Sequence, residues 1–444
     1  MSKASLVIVS GGSASPAFQE ITQDVRYILG ISDNGGSTSE LLRVLGGPSI
    51  GDLRARLTRL ISESSSEKKA IKDLLSYRLP SEGDIQAIRH EWNLIVQGRH
   101  KLWHPIARDK KESIRGFLVM FNFEILKRAY KNFNFRNGSI GNFFLTGARL
   151  FFGSLEAAIT GIEEETSVIP VIITNHTASI AAELQDGTTL RGQCEISHPG
   201  SSQQQEPPVP SSILSPPMQH YNNEEEEEES SNSNLVFDKD TDVKLTAAVR
   251  RIYYMNAFGQ EIFPWPNPNF IKHLNRAKTL IYSIGSLYTS IVPCLILRGI
   301  GKSIANSPTL KHKILILNGT NDRETEGYSA LDFILTITEA LNQSQWVESL
   351  QLEFFDARLE YEGYPLPTDK PLRPSKDILT ENEKDHTSTK PSSFFTHMIY
   401  LTNSQIPVDV PRISEFGIKC IPVDSLEPLY TSTNLHEKLV QIIQ

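Results

Sequence analysis

Cysteine is scarce in this sequence. Among 444 residues there are three, Cys194, Cys294 and Cys420, far apart and without a Cys-x-x-Cys pair. Neither a disulfide framework nor a zinc knuckle is suggested, and a reducing compartment fits best. Long apolar runs are missing too. The first, Leu6 to Val9, is too short for a signal-peptide core, and no stretch approaches the ~20 apolar residues of a membrane span. Excess positive charge is also absent, since 44 Lys and Arg stand against 52 Asp and Glu. Phosphate backbones need clustered Lys and Arg, so no nucleic-acid partner is expected. Part of the acidity is local, in the unbroken run Glu224 to Glu229. These absences predict a soluble, cytoplasmic protein with no membrane partner.

What is present is an alternating pattern. Short runs rich in Val, Ile and Leu lie at Leu6 to Val9, Tyr27 to Ile31, Val168 to Ile173, Thr279 to Tyr282, Ile314 to Leu317, Met398 to Leu401 and Ile418 to Pro422. Their lengths are those of buried strands. Helical patterns such as Leu41 to Ile61 and Ser329 to Leu341 lie between them. Strands alternating with helices imply an α/β fold with a Rossmann-like, mainly parallel sheet flanked by helices. Ile180 to Leu190, with Asp186-Gly187 at its centre, reads instead as a hairpin. Two stretches break the pattern. Residues 197–242 hold a Gln run, Pro-rich stretches and the Glu run, and 364–391 is a weaker version. Neither carries enough apolar area to offset its ordering entropy, so disordered insertions are expected. Residues 1–196 and 243–444 then form one discontinuous domain.

In open parallel sheets, ligands bind beyond the carboxyl ends of the strands, so the loops there matter most. The first contains Gly11, Gly12 and Ser13, where glycines allow close approach of a phosphate. The second holds Asp33, Asn34, Gly35, Gly36 and Ser37. Its carboxylate suits Mg²⁺, and its amides and hydroxyls suit phosphate or ribose oxygens. A helix cap would use the same residue types. The third runs from Gly46 to Arg54, where Asp52 is either a first-turn acid or a metal ligand or general base. The fourth ends in Gly141-Asn142, the fifth begins with Gly285-Ser286, and the sixth begins with Asn318, with Glu324 and Gly327-Tyr328 downstream. Two other patterns are declined. Gly301-Lys302-Ser303 lacks the earlier glycine of a P-loop, because position 296 is Ile. His100 and His104 lack an intervening Glu and sit beside Trp103 and Pro105, which favours a structural role.

Taken in order, these loops resemble the 2-phospho-L-lactate transferase (CofD) family, and more closely its gluconeogenesis-factor (YvcK) branch. That branch reads GGGTG, ADDGGSSGRLR, PGDIR, a GN segment, GPGSLYTSI, and then an Asn with a downstream Gly-Tyr. This chain supplies Gly11-Gly12, the run Asp33 to Arg43, Ile50 to Arg54, Gly141-Asn142, the run Gly285 to Ile291, and Asn318 with Gly327-Tyr328. The resemblance weakens from about Ser62 to Asn137. It implies a Rossmann-like core and a nucleoside-diphosphate conjugate as ligand. Transferase members move a phospholactyl-type group from a guanosine diphospho-conjugate, with Mg²⁺ and release of GMP. Gluconeogenesis-factor members look like regulators that bind UDP-sugars. Carried onto this chain, Asp33 and Asp52 become the Mg²⁺ or acceptor-activating pair and Arg54 a stabiliser of phosphate charge. The remaining loop residues, Gly11, Gly12, Ser13, Asn34, Gly35, Gly36, Ser37, Asn142, Gly285, Ser286 and Asn318, become ligand contacts. The family's Asp-Asp is Asp33-Asn34 here, and its Gly-Gly-Gly-Thr-Gly is Gly-Gly-Ser-Ala-Ser. The lost carboxylate favours a sensor over a transferase. Related folds often dimerise, so a homodimer is one expected assembly, and the acidic insertion offers a surface for a protein partner.

Overall fold

A computed structural model describes residues 5–9, 17–18, 20–22, 24–32, 35–61, 63–128, 131–160, 169–197, 244–256, 258–359 and 389–443. The expected insertion, from residue 198 on, lies outside the described residues, as does most of the 364–391 stretch. The amino-terminal part begins with β1 (Leu6–Val9) and β2 (Val25–Leu29), followed by α1 (Ser37–Leu45) and α2 (Gly51–Leu60). A helical block comes next, with α3 (Ser66–Ser76), α4 (Ile85–Val96), α5 (Arg108–Leu126), α6 (Ile140–Phe152) and α7 (Leu155–Thr160). After β3 (Ile169–Ile172) the chain makes β4 (Ser179–Leu184), β5 (Thr189–Arg191), α8 (Gln193–Ser197), β6 (Val249–Met255) and β7 (Glu261–Ile262). It then alternates through α9 (Pro268–Leu274), β8 (Thr279–Tyr282), α10 (Val292–Leu295), α11 (Ile300–Ala305), β9 (His312–Ile316) and α12 (Ala330–Leu359). The last elements are β10 (His397–Leu401), α13 (Val410–Glu415), β11 (Lys419–Val423) and α14 (Ser432–Ile443).

Seven strands form one parallel sheet in the order β11-β10-β9-β8-β1-β2-β3. All seven apolar runs expected as strands are in it, with ends shifted by at most two residues. The central strands β1 and β8 are buried along their whole length, as continuous apolar runs covered on both faces must be. The chain first steps outward from β1 to β2 and β3. It later returns to lay β8 on the other side of β1 and steps outward again. Strand order therefore reverses between β1 and β8, the place in open α/β sheets where ligands bind beyond the carboxyl ends of the strands.

The expected hairpin is present as β4 and β5, with Asp186-Gly187 in the turn. It belongs to a second, antiparallel sheet in the order β5-β4-β6-β7. The Tyr254 hydroxyl on β6 donates to the Pro293 carbonyl at 2.8 Å and ties this sheet to α10. One expectation is corrected. Leu41 to Ile61 is two helices, because Gly46 and Gly47 take φ of 66° and 95° and Pro48 follows them.

The helical block positions one side of the region where β1 and β8 end. Trp92, Phe121, Phe133, Phe135 and Phe143 form one aromatic cluster that packs α4, α5 and α6 together. Ser139 caps α6 by accepting from the Asn142 amide. A Cβ on Gly147 would lie 1.9 Å from the Phe117 carbonyl, so only glycine lets α6 press this closely on α5. The declined motifs are structural. His100 Nδ1 accepts from the Leu102 amide, and Gly301 lies in α11 against the Leu341 carbonyl.

Candidate functional site

Three of the sequence motifs meet through side chains. Asn142, buried at the start of α6, donates from Nδ2 to Ser37 Oγ at 2.9 Å and to Thr38 Oγ1 at 3.3 Å. Its Oδ1 accepts from Arg54 Nε at 3.3 Å. One amide thus joins the starts of α1, α2 and α6. The approach is close, since a Cβ on the neighbouring Gly141 would lie 2.3 Å from the Leu75 carbonyl and 2.8 Å from Arg54 Cγ. Asp52, in the first turn of α2, adds to the burial that pushes the Cys294 thiol far up. Cys294 lies on α10, which follows the Gly285 to Ile291 run. Asn318 Nδ2 donates to the Gly285 carbonyl at 3.5 Å and links the loops after β8 and β9. Gly11, Gly12, Ser13, Asp33 and Asn34 lie outside the described residues.

Neither α1 nor α2 has a side-chain cap. Their N-caps are Gly36 and Ile50, whereas α3, α4 and α6 are capped by Ser65, Asp84 and Ser139. Asp52 stands in the first turn of α2, where a carboxylate complements the helix dipole. Uncapped amino termini of helices present N–H groups and positive dipole to anions. The turn after Gly285-Ser286 differs. The Glu324 carboxylate accepts from the Tyr288 and Thr289 amides at 2.9 and 3.1 Å, and from the Thr289 and Ser197 hydroxyls at 2.6 Å each. A carboxyl of the protein itself thus holds two of the N–H groups that a phosphate would otherwise use. Burial, reinforced by Asp322, pushes the Glu324 carboxyl up to about 7.

Among the described residues, several buried polar atoms at this end of the sheet have no partner. They are the hydroxyls of Ser32, after β2, Ser49, before α2, and Ser283, after β8, with Asn321 Oδ1 in the loop after β9. Ser283 continues the pairing of β8 with β1, its amide donating to the Val9 carbonyl at 3.2 Å. Two arginines border the same loops and were not read from the sequence. Arg78 Nη1 lies 3.8 Å from the Cβ position of Gly36. Arg149 Nη2 donates to the Gly46 carbonyl at 3.2 Å, and its guanidinium fills the space beside Gly47. Glu40 and Arg43, by contrast, are structural. Glu40 takes both Arg43 and the Asn134 amide, which pins α1 to the 131–135 segment. Among the described residues no three His, Cys, Asp or Glu side chains form a group that could hold a metal ion.

The sequence profile described as 2-phospho-L-lactate transferase CofD matches residues 6–386. The chain belongs to the CofD family. It is also similar to an uncharacterized protein of Saccharomyces cerevisiae, with 36% identity over 475 aligned positions that cover 98% of this chain and 99% of the relative. Among solved structures it matches two crystal structures of one Bacillus halodurans protein, a member of the UPF0052 family. Each has a TM-score of 0.57 at 15% identity and covers 99% of this chain; the shares of that protein are 100% and 99%. At that identity the likeness speaks for the fold. The CofD match runs through all six loops, and five of them have described residues at the carboxyl end of the parallel sheet or beside it. Among the described residues no helix is long and apolar enough to cross a membrane.

Proposed function

We propose that this CofD-family protein binds a nucleoside-diphosphate conjugate, UDP-sugar-like or GDP-phospholactate-like, in the crevice at the carboxyl ends of β1 and β8. We further propose that it acts as a metabolic sensor of the YvcK type. The partnerless buried atoms of Ser32, Ser49, Ser283 and Asn321 carry this reading. Buried polar groups are ordinarily hydrogen-bonded, so four of them around one crevice favour a polar ligand there. The uncapped starts of α1 and α2 suit a diphosphate, and Arg54, Arg78 and Arg149 supply guanidiniums at the same loops. Mg²⁺ commonly binds through one or two carboxylates together with substrate phosphates. Asp52 fits that donor set, with Asp33 as its proposed second member, and the ion would neutralise diphosphate charge.

The alternative is a transferase that releases a nucleoside monophosphate, the activity in the family's name. The Asp33-Asn34 pair, with one carboxylate where the family has two, favours the sensor. The test is monophosphate release from GDP- and UDP-conjugates with Mg²⁺, in the wild type and in Asn34→Asp. A sensor binds without release, and Asn34→Asp gains turnover only if the site descends from a transferase. Stoichiometric or faster release by the wild type would replace the sensor with the transferase.

A further inference from the structure

One buried carboxyl holds α8 against the loop after β8. Glu324 accepts from the Ser197 hydroxyl, at the end of α8, and from the Tyr288 and Thr289 amides in that loop. Its neighbours grip the same region. Arg323 Nη1 donates to the Glu195 and Ile196 carbonyls of α8 at 3.1 and 3.4 Å, and Glu326 pairs with Lys244. Residues 323–326 thus hold both Ser197 and Lys244, the described residues on either side of 198–243. The same segment follows Asn318, whose amide bonds to Gly285. It therefore reaches from the proposed ligand loops to α8.

We propose that Glu324 is a switch by which an occupied ligand site releases α8. A diphosphate at the Gly285-Ser286 loop takes the amides of Tyr288 and Thr289, the carboxyl leaves them, and its bond to Ser197 goes with it. The switch presupposes the diphosphate site proposed above. Three features give Glu324 this role. First, it sits where a phosphate would sit. Successive amides beyond the carboxyl end of a parallel strand are anion donors. Ser283, fully buried and without a hydrogen-bond partner among the described residues, stands in the same loop. Second, its hold can be broken. All its bonds come from amides and hydroxyls, and among the described residues no Lys or Arg hydrogen-bonds to it. Asp322 adds to the burial that disfavours its charge. A buried carboxylate without a cation is costly to keep charged, and an arriving diphosphate raises that cost. Third, the hooks on α8 are adjacent in sequence. Arg323 and Glu324 both hold its end, so a shift of one carries the other. A ligand moves such an element only as far as it binds the two states differently. Here the difference is two amides, offered in one state and withheld in the other.

Cys194 reports the outcome, because it lies in α8 and is buried. Cys294, buried in α10, is the control for general unfolding. The full chain is labelled with a maleimide in the presence of Mg²⁺ and pyrophosphate, UDP or GDP, and calorimetry measures the binding of each. A bound probe is expected to speed Cys194 labelling about tenfold, an ordinary coupling between sites, while Cys294 stays unlabelled. Glu324→Ala should give the fast rate without a probe. Ser197→Ala, a smaller cut that leaves the carboxyl on its amides, should speed Cys194 as well. A probe that binds and leaves Cys194 labelling unchanged, or slows it, overturns the switch and leaves the site standing. Failure of every probe to bind removes the site and the switch together. A Glu324→Ala chain that labels Cys294 too has opened as a whole; Ser197→Ala then decides, and an unchanged Cys194 rate there overturns the switch.

Discussion

Asn142→Ala is expected to destabilise the fold by about 2–4 kcal/mol and to weaken ligand binding at least tenfold. The Asn142 side chain is buried and makes three hydrogen bonds, to Ser37, Thr38 and Arg54. Removing it strips two interactions from α1 and one from α2 and leaves polar groups buried without it. Denaturant unfolding measures the first effect and calorimetric titration the second. Asn142→Asp separates them. A carboxylate still accepts from Arg54 Nε and from both hydroxyls, so most of the stability should survive. It also puts negative charge where an anionic ligand is proposed, so binding should still fall. Equal binding by wild type and Asn142→Asp would show that this amide lies away from the ligand.

The second large effect is a pH dependence centred on Glu324. Its carboxyl is raised from an ordinary 4.5 to about 7, first by burial and then by the Asp322 charge. Between those values the folded chain holds a proton that the unfolded chain has released. The stabilisation is full below pH 4.5 and is lost as pH rises through about 7, amounting to about 3 kcal/mol over the window. Glu324→Gln keeps a neutral group of the same shape at every pH. Its unfolding free energy, compared with wild type, should gain steadily from pH 4.5 to 7.5 and then level off. A difference that stays constant across that range would mean Glu324 is ionised throughout.

The parallel sheet was legible because its strands are continuous apolar runs, the pattern that burial on both faces demands. Leu6–Val9 and Thr279–Tyr282, the two most central, match the expected ends residue for residue. The antiparallel β6 is another matter. Only one of its faces is deeply buried, and Arg250 and Arg251 interrupt the apolar pattern of Val249–Met255, so no run stands out. The site loops were legible as a set, because glycine, hydroxyl and amide residues cluster after strands for a reason that sequence carries. Their partners were not. Arg78 and Arg149 reach the loops through the packing of the helical block, and the region from Ser62 to Asn137 carries little family resemblance. Glu324 stood in view downstream of Asn318. Nothing local says that its carboxylate reaches the amides of Tyr288 and Thr289, more than thirty positions away.

The central claim is that the crevice between β1 and β8 takes a nucleoside-diphosphate conjugate. It is tested most directly by thermal unfolding of ligand-free protein against UDP-sugars, GDP-conjugates and free nucleotides, with and without Mg²⁺. A ligand at ~100 times its dissociation constant stabilises the fold by about 2.7 kcal/mol, a rise of several degrees. The account predicts such a rise for one nucleoside-diphosphate class, larger with Mg²⁺ and diminished in Asp52→Asn. A folded, ligand-free protein that shifts with none of them would contradict it.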